Sequence, residues 1–155
     1  MPGTTIEIKD RDDEGLPAVE LGDILPLVEE QGRSLKWAIL NLYAVGNPHR
    51  LGRTMRELGE EVSRSPHGVL LNWDELEEFS RSVFQIMDAV IVGCRDVDCL
   101  PRKDEVEQRD GDCEIVIRAI DASRWRLSAA DDSMMSRFRH VFRDWSMVSD
   151  QHGES

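Results

Sequence analysis

The stretch Asn72–Gly93, NWDELEEFSRSVFQIMDAVIVG, constrains the fold more than any other, because it is the longest segment with a single clear period. Leu76, Phe79, Val83, Ile86 and Val90 recur at alternating steps of three and four, which is one face of a 3.6-residue repeat. Trp73, Phe84, Met87 and Ile91 add a second stripe beside the first, and so wide an apolar face suits a helix buried on two sides. Asn72 is placed to cap the N-terminus, with Glu75 completing an N-x-x-E box. Asp74 and Glu75 set negative charge at the positive end of the helix dipole. Glu77 stands four residues before Arg81, the favourable order for a side-chain pair, and Gly93 suits a C-terminal cap.

These signals predict one continuous helix across 72–92. The rival reading ends the helix near Asp88 and makes 89–94 a buried strand, on the strength of the β-branched run Val90, Ile91, Val92. No turn residue separates the two halves, which favours the continuous helix.

The other elements are expected around this one. Leu35–Val45 reads as a central strand, with Trp37, Ile39 and Tyr43 on one face and Leu40 and Leu42 on the other. Its length also suits a helix, but Gly46, Asn47 and Pro48 end it in either case. Leu51, Met55, Leu58 and Val62 mark an amphipathic helix over 51–64, and Asp23 opens a short helix to about Gln31. Cys113–Ile120 and Arg124–Ser128 form a hairpin, with Arg124 and Arg126 outward and Trp125 and Leu127 inward. Met134, Phe138, Val141 and Trp145 line a last helix over 131–145. Cys94–Asp112 is polar and reads as a long surface loop. Ile6 and Ile8 would suit an edge strand, but the charge-dense run Asp10–Glu14 favours a flexible acidic leader over 1–15. A single α+β domain then spans 16–148, followed by a frayed tail over 149–155. Its expected core is a small, mainly antiparallel sheet packed with three main helices.

A chain of 155 residues, 40% hydrophobic and 32% charged, matches one globular domain. Its net charge of -12 argues against nucleic acid and anionic membrane as partners, since both need clustered cations. No segment approaches the ~20 apolar residues of a membrane span. Three cysteines with no early apolar signal argue against a disulfide framework and for a cytoplasmic location.

Candidate chemistry is sparse. Cys94, Cys99 and Cys113 are spaced C-x4-C-x13-C without the C-x2-C pair common in structural zinc sites, so Cys94 and Cys113 read as small core residues. The D-x-D pairs Asp96/Asp98 and Asp110/Asp112 lack the further ligands of a calcium loop. His49 and His67 each follow a proline in a turn, with no nucleophile motif nearby. No catalytic residue, metal or cofactor is expected. Charge is uneven along the chain: residues 1–114 carry 25 acids and 13 bases, whereas 115–145 carry six Arg and four Asp. The expected outcome is that these arginines pair with the acidic N-terminal part across the fold.

The favoured functional expectation is a non-enzymatic, acidic protein-interaction module of the immunity or inhibitor type, binding a basic protein through Asp74, Glu75 and Glu78. The alternative is a small enzyme or ligand-binding domain with a site near His67 and the 94–112 loop.

Overall fold

In the computed structural model, which describes residues 4–106 and 112–148, seven strands join in one antiparallel sheet. In chain order the elements are β1 (Thr4–Ile8), α1 (Leu21–Gly32), β2 (Lys36–Gly46), α2 (Met55–Arg64), β3 (Val69–Leu71), α3 (Trp73–Ser82), β4 (Val83–Cys94), β5 (Ile115–Ile120), β6 (Arg124–Ala129), α4 (Asp132–Val141) and β7 (Trp145–Met147). The spatial order is β3-β2-β4-β5-β6-β1-β7. The fold is α+β, with a larger sheet than the sequence suggested and four α-helices among the described residues.

The stretch expected to be one helix is half helix and half strand. The capping box forms, with Glu75 N–H donating to Asn72 Oδ1 (2.9 Å) and Asn72 N–H donating to Glu75 Oε1 (2.9 Å). The helix then stops at Ser82, well before Gly93. Its last carbonyls are satisfied from outside the helical ladder: Ser80 Oγ donates to Glu77 O, Ser82 Oγ to Phe79 O, and the Asn47 N–H to Ser82 O. Val83 onward is extended and becomes β4, the strand next to β2. The rival reading was nearer, but the break lies six residues before Asp88. Gly93 is no cap. It lies in β4, where an added Cβ would come within 3.0 Å of the Trp37 ring.

Three further expectations are corrected. Thr4–Ile8 is not part of a mobile leader but a strand between β6 and β7, with Ile6 and Ile8 almost wholly buried. The final helix ends at Val141, and Trp145 belongs to β7. The described part of segment 94–112 is not simply a surface loop, because Leu100, Pro101 and Val106 are buried, and 107–111 lie outside the described residues. The tail over 149–155 lies outside the described residues.

All four helices pack on one face of the sheet. There Trp37, Ile39, Ile91, Ile115, Ile117 and Leu127 meet Ile24, Leu58, Leu76, Phe79 and Phe138 in the main core. Trp37 anchors it, donating Nε1–H to Gly32 O (2.9 Å) with its ring 5.9 Å from that of Trp73. A smaller core lies on the opposite face, where Leu100 and Val106 cover Ala38, Leu40, Val92, Cys94 and Val116.

Bulges decide which side chains reach each face. Along β2 the register against β4 steps from Ile39↔Ile91 to Asn41↔Val90, so Leu40 is an extra residue. The alternation reverses after it. Leu42 packs on the helix side, whereas Tyr43, expected beside Trp37 and Ile39, is 64% exposed. Strand β3 also begins at this point, with Val69 opposite Ile39. Gly68, with φ of 65°, precedes it so tightly that an added Cβ would lie 1.9 Å from Ile39 O.

Candidate functional site

The two faces of the sheet present surfaces of opposite character. On the helix side, α1 with its cap residue Glu20 carries Glu20, Asp23, Glu29 and Glu30 against Arg33. Its neighbour α3 carries Asp74, Glu75, Glu77 and Glu78 against Arg81. Several of these acids have structural duties. Asp23 accepts from the Glu20 N–H (2.8 Å), Glu29 pairs with Arg33, and Glu77 and Glu78 lie 3.9 and 3.4 Å from Arg81.

Of the three contact residues expected from the sequence, Glu75 is held by the capping box and Glu78 by Arg81. Asp74, exposed in the first turn, has no hydrogen bond or ion pair among the described residues, and neither does Glu30 on α1. The α1–α3 packing therefore sets the three α3 positions beside a second acidic helix, which spacing within α3 could not reveal.

The opposite face follows from the strand register. One row across it reads Ala38, Val92, Val116, Ser128, Thr5: apolar where Leu100 and Val106 cover it, polar beyond, where the Ser128 and Thr5 hydroxyls bond at 2.7 Å. The next row reads Asn41, Val90, Arg118, Arg126, Glu7. Arg118 and Arg126 are directly opposite, a costly like-charge pair unless a counter-charge intervenes.

Glu7 supplies it. Arg126 Nε donates to Glu7 Oε1 (2.8 Å), while Arg124 Nε approaches the same oxygen at 3.4 Å and Lys9 Nζ reaches Oε2 at 3.2 Å. Burial pushes the Glu7 carboxyl up. The hydrogen bonds from Arg126 and Lys9 outweigh that, and its pKa lies below the usual value. Two of the hairpin arginines thus do meet an acid from the N-terminal part.

The residues of the alternative site also come together. The Lys103 N–H donates to Pro66 O (2.8 Å), and Lys103 Nζ donates to Val62 O (2.7 Å) at the C-terminal end of α2. The 94–106 segment is thereby tied to the turn that carries His67, which is exposed. A cavity of about 380 Å³ lies elsewhere, at the β4 start, lined by Leu16, Val19, Phe84, Ile86, Arg124 and Trp125. His49, in its own exposed turn, approaches Asn47 O with Nδ1 at 3.2 Å.

No family model, curated protein or solved structure matches this chain. Among the described residues no group of three or more His, Cys, Asp or Glu is arranged to hold a metal ion, and no helix is long and apolar enough to cross a membrane.

The cysteines are closer together than their spacing implied. Cys94 and Cys113 are buried in the smaller core and Cys99 is half-buried beside them. The Cys94 thiol lies 3.6 Å from Cys99 O, and its pKa is lowered chiefly by a hydrogen bond from the Cys113 side chain. No local sequence signal marked this meeting, because 83–92 read as helix and the pairing of β4 with β5 joins residues distant in the chain.

Proposed function

We propose that this chain is a non-enzymatic protein-interaction module whose acidic helix layer receives a basic partner protein, in the manner of an immunity or inhibitor protein. The observation that carries this reading is the packing of α1 against α3. Each of these neighbouring helices, with both α1 cap residues included, carries four acids and one arginine. Asp74 is the leading contact residue, with Glu75 and Glu78 beside it, and the expected setting is the cytoplasm. Acidic side chains concentrated on one layer steer a cationic partner before contact.

The test is a kinetic one. The variant Asp74→Asn/Glu75→Gln/Glu78→Gln keeps a residue able to complete the capping box. A partner recovered from host lysate should associate faster with wild type than with this variant at low ionic strength. The gap should close as salt shortens screening to ~8 Å. Equal association rates at low salt would remove this reading.

A second reading keeps a small-ligand or enzymatic site near His67. What favours it is the Lys103 contact with Pro66, which joins the 94–106 segment to the His67 turn. His67→Ala would weaken binding of such a ligand and leave the association kinetics of a basic protein unchanged.

A further inference from the structure

The smaller core holds reactive side chains that the proposed interaction does not use. Cys94 closes β4, and Cys113 precedes β5 by two residues. The β4–β5 ladder, which pairs Gly93 with Ile115, ends beside Cys94, and the bend just before β5 turns Cys113 onto the same face, away from the helices. The Glu114 N–H bonds to Gly93 O at 2.9 Å and holds this end of the ladder together. Both thiols are buried beneath Leu100 and Val106, and they are hydrogen-bonded to one another. Cys99 is more open than either, and its backbone oxygen accepts from the Cys94 thiol.

We propose that Cys94 and Cys113 form a thiol–disulfide site guarded by the segment carrying Leu100 and Val106, oxidised by small-molecule disulfides of the glutathione class. The Cys94 sulfur, as thiolate, attacks one sulfur of the small disulfide, forming a mixed disulfide and releasing one small thiol. The Cys113 thiolate then attacks the Cys94 sulfur and releases the second small thiol. Two protein thiols and one small disulfide become one protein disulfide and two small thiols. Two electrons pass from the protein sulfurs to the small disulfide, and the two thiol protons end on the products.

Two features favour this pair over one that includes Cys99. The hydrogen bond from Cys113 stabilises charge on the Cys94 sulfur, the form that attacks. That contact also places the second sulfur beside the first, where it can resolve the mixed disulfide. Burial sets the rate, since the oxidant reaches Cys94 only when the covering segment opens.

The purified full-length chain, incubated with oxidised glutathione, then blocked with an alkylating agent, digested and mapped by mass spectrometry, tests the assignment. The expected product has lost the mass of two hydrogens, contains a Cys94–Cys113 cross-linked peptide, and is reversed by dithiothreitol. Cys99→Ser should give the same cross-link. Leu100→Ala, which loosens the cover, should form it faster by on the order of tenfold. A cross-link that includes Cys99, a glutathione adduct confined to Cys99, or no modification would overturn the assignment. An unchanged rate in Leu100→Ala would overturn the guarding role of the cover.

Discussion

The two faces of the sheet are built from the same seven strands and end in different states. The helix side is covered by four amphipathic helices and holds a core that includes Trp37, Phe79 and Phe138. Among the described residues, the opposite side is covered only where the 95–106 segment folds back, over small residues such as Ala38, Cys94 and Val116. Beyond that cover it presents Arg118, Arg124, Arg126 and the exposed Tyr43. Antiparallel sheets tolerate such a division because side chains alternate between faces, and a face left to water has only to be polar. The comparison teaches that stability and surface chemistry are separated here. The helix side carries most of the buried large side chains, while the opposite side carries the arginine cluster and the buried thiols.

Substitutions can break this contrast, and the largest effect belongs to the helix side. Phe79 is fully buried, so Phe79→Ala should cost about 3–5 kcal/mol through lost burial and the cavity left behind. Chemical denaturation measures this directly. An unchanged midpoint would show that the face is not packed as described.

Next comes Leu100→Ala on the opposite side, expected to cost about 2 kcal/mol, near the low end for a leucine truncation, because its surroundings are small side chains. If it proved as damaging as Phe79→Ala, the idea of a major and a minor core would fail. Amide exchange across 95–106 should rise in this variant before it rises in α3.

A smaller, pH-dependent effect should follow from Glu7→Gln. Losing the charged hydrogen bond from Arg126 should cost about 1–2 kcal/mol at neutral pH, after allowance for the partial exposure of the arginines. The folded-state pKa of Glu7 is depressed, so its contribution is present above the unfolded carboxylate pKa and is lost as pH falls through the folded value. The difference between wild type and variant should therefore shrink on acidification. A gap that stayed constant into acid would assign the loss to packing and not to the ion pair.

The smallest effect is expected at Asp74. Asp74→Asn should change stability by no more than about 0.5 kcal/mol, since the residue is exposed and without a partner among the described residues. A larger loss would place Asp74 in the structure of α3 and weaken its assignment to a partner.

Local signals in the sequence determined the start of α3, the hairpin of β5 and β6, the apolar face of α2 and, in α4, the buried Met134 and Phe138 but not Val141, which is 49% exposed. In each, a cap, a turn or a repeat is set by residues a few positions apart. Asn72 and Glu75, or Trp125 and Leu127, need no distant contact to be read. The acidic character of the helices was legible in the same way, from composition and spacing.

Only the tertiary structure decided where α3 gives way to β4. The apolar period of 72–92 fits a helix, yet Ile86 and Ile91 are buried, and Val83 half-buried, from a strand, because β2 offers a ladder from Val83 to Cys94. The hint was local but weak: Ser80 and Ser82, whose hydroxyls satisfy the last carbonyls of the helix, followed by a β-branched residue. The burial of Ile6, the exposure of Tyr43 and the meeting of Cys94 with Cys113 were likewise settled by strand order and by one bulge at Leu40. These depend on contacts between residues distant in the chain, and the free energy of sheet pairing and burial that selects them has no counterpart in any short window of sequence.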